Sequence, residues 1–345
     1  MSMIESAGQA RKALPITARV QLAMLAIALV VAFIFAFLAS TFILRLVTLA
    51  LVSALFAMSV DLMAGYAGLV SLGHAGVLGS AMYGVGYVAS KTDGGFALQL
   101  LVGFAAGIAA SVIFGLMAMR SSGVYFILIT IAQGMIVWGL ATLLVKITGA
   151  ENGLPGIRRP VVVETEFRYY FVALIVVLVS SVGLFIVVRS PVGFALKGLR
   201  ESETRMRMLG HNTTWLKFQM FMLSGFFATI AGILLVYLNE FVNPTDVIIA
   251  SSALPVLMSI LGGIGTLIGP FIGAFVVVFL RNYVSLEIDR WQSIMGLTFI
   301  FVVLFARDGL IGAVKKHWYK YLDSKGSGPA ALAATEMAAP PLQSG

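Results

Sequence analysis

The sequence predicts an all-α polytopic membrane protein with ten transmembrane helices and two segments broken by glycine. Mean hydropathy is +1.00. Of the 345 residues, 60% are hydrophobic and only 11% are charged, where an average soluble domain carries roughly 25% charged residues. Several stretches also stay uncharged for the ~20 residues that a helix needs to cross the hydrocarbon core. A water-soluble globular domain is excluded, and with it a nucleic-acid partner for the formal charge of +8. Cysteine is absent, so there is no disulfide framework, thiolate metal site or cysteine nucleophile.

The apolar runs fall at 20–40, 46–60, a glycine-rich 62–90, 96–119, 123–145, 169–188, 218–238, a pair inside 247–280, and 291–306. The 34 uncharged residues of 247–280 are too many for one straight span and too few for two complete ones. They read as two short helices meeting at a glycine break. Arg11, Lys12 and Arg19 precede a first apolar run longer than a cleaved signal peptide has. Residues 1–19 are therefore a cytoplasmic segment, 20–307 the membrane domain, and 308–345 a cytoplasmic tail, disordered from 324.

With the N-terminus in the cytoplasm, 15 of the 23 Lys and Arg fall on that side. The eight outside face eight acids, so the inner face holds the whole +8. That asymmetry is the one the positive-inside rule requires.

Gly65-Tyr66-Ala67-Gly68-Leu69-Val70-Ser71-Leu72-Gly73-His74 has a partner about 200 residues later. It is Gly262-Gly263-Ile264-Gly265-Thr266-Leu267-Ile268-Gly269-Pro270. Each has glycines at its first and fourth positions, a hydroxyl residue, then another glycine before a second apolar helix. Dense glycine weakens a helix, and the freed backbone groups survive in a membrane only against protein or a water-lined path. Paired breaks of this kind point to a transport pathway. For any single glycine, close helix packing is the simpler reading. Packing also explains the stripe Ser224, Ala228 and Gly232.

Asp61 and His74 flank the first cluster and are ionisable groups at membrane depth. Asp61 can cap freed amides, and a lone histidine is more often a hydrogen-bonded strut than a metal ligand. No catalytic or metal-binding constellation appears, so neither a cofactor nor a metal is expected.

Residues 191–209 predict a short amphipathic cytoplasmic helix. Ser190 serves as N-cap, Pro191 suits the first turn and Gly210 the end. Lys197–Glu201, Glu201–Arg205 and Glu203–Arg207 are spaced i,i+4, with Val192, Ala195, Leu196, Leu199, Met206 and Leu209 on the other side. The interleaved acids argue against simple attraction to anionic lipid. A docking helix for a cytoplasmic partner and an ordinary connector remain.

Four motifs in order, DLMAGYAGLVSLGHAG from Asp61, TGAENGLPGI from Thr148, GFALKGLRESE from Gly193 and LGGIGTLIGP from Leu261, resemble the LivM-type permease subunits of ABC importers for branched-chain amino acids. The resemblance runs from Leu46 to Arg307. It implies a multi-pass protein of the bacterial inner membrane. Its partners would be a LivH-type permease, two cytoplasmic ATP-binding subunits and a periplasmic binding protein, with lipid around it. No GxxxxGK[ST] loop occurs in this chain, so ATP hydrolysis falls to the partners. On the family's pattern 191–209 becomes the coupling helix, engaging the ATPase through Gly193, Lys197, Arg200, Glu201, Ser202 and Arg205, and the outer loop 147–168 faces the binding protein. The translocation path would draw on Asp61, Gly65, Tyr66, Gly68, Ser71, Gly73 and His74 from the first cluster. The second supplies Gly262, Gly263, Gly265, Thr266, Gly269 and Pro270. Asp61 stands where relatives often have Asn. Similar permeases carry urea, short amides or other small polar solutes, and an ion-coupled secondary transporter using Asp61 and His74 is the rival from another class.

Overall fold

A computed structural model describes residues 35–92 and 94–287, with 293, 296, 297, 300, 309 and 310. Most of the predicted first helix, the predicted span 291–306 and nearly all of the tail lie outside the described residues.

Helix α1 (Thr41–Asp61) begins where Ser40 accepts the Ile43 amide at 3.4 Å. It runs on through one π turn, Leu62–Tyr66. Residues 67–73 are non-helical, and α2 (His74–Lys91) follows. The glycine-rich 62–90 is thus not one segment: its first turn belongs to α1, because Gly65 stays helical and the chain turns away at Gly68, whose φ is +70°. Then come α3 (Phe96–Ala118), α4 (Gly123–Leu143) and α5 (Glu166–Arg189). Helices α6 (Pro191–Glu201) and α7 (Glu203–Met208) precede the long α8 (Thr213–Asn239). The described helices end with α9 (Ile249–Gly262) and α10 (Ile268–Glu287).

Among the described residues, five helices are long and apolar enough to cross a membrane: α1 with its π turn, α3, α4, α5 and α8. Helices α9 and the apolar part of α10 are shorter. The protein is a predominantly helical, multi-pass membrane protein.

Helices α1 and α8 are mostly buried, whereas only 28% of the apolar window of each of α3, α4 and α5 is buried. The outer helices carry Leu101, Tyr125, Ile136, Val179 and Ile186 on their exposed faces, as lipid demands. Lipid tails are as apolar as leucine, so helices gain by close approach rather than by burial from water. The stripe on α8 shows this: a Cβ at Gly232 would stand 2.5 Å from the Leu78 carbonyl oxygen of α2. Ala228 beside it is fully buried.

Polar contacts gather at the two ends of the bundle. At one, Lys217 donates to Glu203 at 2.8 Å and to the Ser121 carbonyl at 2.9 Å. At the other, buried Arg159 donates to the Tyr237 and Leu238 carbonyls at 2.8 and 3.1 Å. It also pairs with Glu166 at 3.0 Å and Glu240 at 3.4 Å, and its guanidinium lies 4.5 Å over the Tyr169 ring. Arg45 joins this end through the Leu238 carbonyl at 3.4 Å. Loop 147–168 is tied down by a two-residue ribbon, β1 (Leu154–Pro155) antiparallel to β2 (Phe241–Val242).

Candidate functional site

The two glycine clusters, 200 residues apart in sequence, meet in space. Asp61 at the end of α1 is fully buried, and its Oδ1 accepts the Gly265 amide at 2.8 Å. A Cβ added to Gly65 would stand 2.5 Å from both Asp61 Oδ1 and Gly265 N, so only glycine lets the two backbones approach this closely. On the other side of the junction Arg200 of α6 donates to the Gly65 carbonyl at 2.6 Å. The junction therefore satisfies two of its own exposed backbone groups, one with a carboxylate and one with a guanidinium. Unsatisfied, each would be expensive in a membrane.

The second cluster holds the chain between α9 and α10. Gly263 and Gly265 have φ of 121° and 78°, conformations that side chains resist. Thr266 donates to the Gly263 carbonyl at 2.8 Å and accepts the Gly269 amide at 2.9 Å, capping α10. Pro270 lies in the first turn of α10, where its missing N–H is no loss. Gly262 closes against Gly269, and buried Tyr66 lies 5.7 Å beneath the Lys197 ammonium.

His74 is fully buried and spans three helices. Its Nδ1 lies 2.8 Å from Ser71 Oγ, and its Nε2 lies 2.7 Å from Ser224 Oγ. Ser224 in turn donates to the Ser59 carbonyl at 2.5 Å. That bond uses the Ser224 proton, so Nε2–H donates to Ser224 and Nδ1 accepts from Ser71. The chain of bonds fits one neutral tautomer and makes His74 a strut between α1, α2 and α8. Gly73 beside it packs on the Thr130 backbone of α4.

The segment 191–209 is two helices, not the single one that its periodicity predicts. Ser202 adopts an extended conformation (φ −165°, ψ 108°) and its hydroxyl accepts the Arg205 amide at 3.2 Å, ending α6 and capping α7. Ser190 precedes α6, but its hydroxyl turns back to the Val187 carbonyl at 2.7 Å. Leu196, Leu199 and Met206 are buried as predicted, Val192 and Ala195 are half-buried, and Leu209 is exposed. Of the three spaced ion pairs, Glu203–Arg207 forms at 2.7 Å and Glu201–Arg205 stands at 3.8 Å with both partners exposed. Lys197 turns to Tyr66 and Phe194 instead of Glu201.

The six candidate coupling residues thus divide. Arg200 reaches inward to Gly65, Ser202 shapes the break, and Gly193 packs on the Val188 backbone. Lys197, Glu201 and Arg205 are exposed without reaching the junction, and Arg200 too stays exposed over part of its surface. The sequence reading missed the Glu203–Lys217 pair, in which the Lys217 side chain is only 3% exposed. Burial raises the Glu203 carboxyl, but Lys217 and Arg207 outweigh it and hold the group below the usual glutamate value. A lone lysine at the head of the apolar run 218–238 was the available signal.

The permease-component family of branched-chain amino acid transport systems matches residues 42–305. The chain belongs to that family. Both glycine clusters and helices α6 and α7 lie within the matched range. The high-affinity branched-chain amino acid transport system permease protein LivM of Salmonella typhimurium strain LT2 is 25% identical over 311 aligned residues. The match covers 82% of this chain and 73% of the relative. LivM of Escherichia coli K12 matches to the same extent. The ribose import permease protein RbsC of Haemophilus influenzae is 26% identical over 144 residues, covering 40% of this chain and 45% of that protein. No solved structure matches the chain significantly.

Proposed function

We propose that this permease is the transmembrane subunit of an ATP-binding-cassette importer. With a second, LivH-type permease it forms the path for branched-chain amino acids across the bacterial inner membrane. Two cytoplasmic ATP-binding subunits drive it and a periplasmic binding protein delivers substrate. In this reading the chain crosses ten times with both termini cytoplasmic, loop 147–168 faces the binding protein, and α6–α7 dock on an ATPase.

The observation that carries the reading is the bond from Arg200 to Gly65. An amphipathic element between spans grips the junction of both glycine clusters directly. Closure of the ATPase dimer moves α6 as a rigid element, and the junction rocks with it between inward and outward openings. The division of α6–α7 suits this use, because Arg200 faces the path while Lys197, Glu201 and Arg205 are left for the partner. Ion coupling through His74 draws no support from the geometry, since both of its ring nitrogens are engaged in structural hydrogen bonds, and one oxygen of Asp61 is likewise taken up by Gly265.

The test is gentle purification of the tagged protein from its host, with bound proteins identified by mass spectrometry. Two nucleotide-binding subunits and a second permease are expected. The variant Glu201→Arg should lose the ATPases and uptake while remaining folded and inserted. Normal uptake by that variant would overturn the coupling assignment, and transport by the chain alone under an ion gradient would overturn the importer.

A further inference from the structure

A cavity of about 300 Å³ opens between α1, α2, α8, α9 and α10. It lies at the small end of the range of roughly 300–1,000 Å³ typical of ligand pockets, a fit for one small solute. Its lining is sorted along the bundle. Asn239 ends α8. Asp246 belongs to the turn that follows, Pro244–Val247. Arg281 and Asn282 stand 13 and 14 residues beyond the start of α10, about 20 Å along it at 1.5 Å per residue. These four put both charge signs and two amides at the end of the bundle that holds Arg159.

The opposite part of the lining is apolar. Phe56 precedes Asp61 by five residues on α1, Met258 precedes Gly262 by four on α9, and Val277 and Leu235 complete the walls. The cavity thus joins a charged lining at one end to a mainly apolar one on the α1 and α9 turns that precede Asp61 and Gly262.

We propose that this cavity holds the transported amino acid in transit, with Arg281 facing its carboxylate, Asp246 its ammonium group, and the apolar walls its branched side chain. The inference rests on the importer reading and adds a site within this chain. A free amino acid is a zwitterion, so a site for it needs one group of each sign, and an aliphatic side chain needs an apolar wall. Asp246 is held in place by the Asn243 amide, which donates to its Oδ2 at 3.0 Å. Burial raises the Asp246 carboxyl, and the Asn243 bond only partly offsets this. A cation beside it relieves that cost. An uncharged solute such as urea would draw on neither charge.

The experiment uses the whole importer in proteoliposomes, with leucine as the probe. Asp246→Asn and Arg281→Gln should each lower leucine uptake at least tenfold, while the loaded binding protein still stimulates ATP hydrolysis. Independently, Ser53 on the α1 wall offers a labelling position, because the chain has no cysteine. Ser53→Cys should react with a small methanethiosulfonate, several-fold more slowly with leucine-loaded binding protein than with empty binding protein. If the wild-type complex takes up no leucine, the importer reading itself fails. If wild-type uptake is normal but both charge variants match it, or leucine gives Ser53→Cys no protection, the cavity inference is overturned. Should the charge variants not assemble, the protection experiment alone decides.

Discussion

Arg200 and Gly65 are 135 residues apart, yet the Arg200 guanidinium donates to the Gly65 carbonyl at 2.6 Å. The rest of the Arg200 side chain lies against Gly68, where a Cβ would stand 3.0 Å from Arg200 Cγ. One side chain therefore crosses from the amphipathic element to the turn that ends α1. If force passes along it, Arg200→Met should leave the complex assembled and hydrolysing ATP while uptake falls at least tenfold. Equal loss of hydrolysis and uptake would instead mean that Arg200 only holds the ATPase in place.

The Asp61 carboxylate acts as a hydrogen-bond acceptor for Gly265, and that role does not require charge. Asp61→Asn keeps an acceptor oxygen in the same position, so uptake should stay within about twofold of wild type. Asp61→Leu removes the acceptor and leaves a buried amide unpaired, a penalty of about 1–3 kcal/mol. Thermal melting of the purified protein and uptake should both drop. An Asn variant as inactive as the Leu variant would show that ionisation matters.

Gly65→Ala places a methyl group against Asp61 Oδ1 and Gly265 N, each 2.5 Å away. Gly265 N is backbone and Asp61 Oδ1 is held by its bond to that amide, so the junction must open and transport should be lost. Gly139→Ala in α4 is the matched control, since nothing lies within 4 Å of its Cβ; it should be neutral or gain up to about 1 kcal/mol. Melting temperatures for the pair check this, and equal behaviour would mean that the close approach at Gly65 has no energetic consequence.

Glu203 makes stability depend on pH. Its carboxyl is lowered in the folded protein, so the contribution is fully present above the ordinary value of 4.5 and is lost as pH falls through the lowered one. Lys217→Met should cost about 1–3 kcal/mol near neutral pH, less than a fully enclosed pair because Glu203 keeps Arg207. The same variant should flatten the acid limb of the melting curve. An unchanged acid limb would remove Glu203 as its source.

The long spans were legible because absence of charge over a fixed length is a one-dimensional property. Phe96–Ala118 therefore appears where its apolar run placed it, and Thr41–Tyr66 and Thr213–Asn239 contain theirs, 46–60 and 218–238, while extending several residues beyond them. The glycine clusters were legible as a pair, but their contact was not, since no local pattern tells Gly65 that Gly265 is its neighbour. The break at Ser202 had a signal, an N-cap serine followed by Glu203 in the first turn. It was masked because the i,i+4 charge spacing runs straight across it. Arg159 and Lys217 were read only as loop charges, although their burial defines the two ends of the bundle.

The short ribbon between Leu154–Pro155 and Phe241–Val242 joins the long loop 147–168 to the turn carrying Asp246. Ile157 adds an amide bond to the Glu240 carbonyl at 3.3 Å, and Arg159 rivets the same two stretches. A protein pressing on that loop would move the rim of the cavity in the same stroke. Arrival of cargo and widening of its entrance would then be a single mechanical event, with no relay through the membrane needed to connect them.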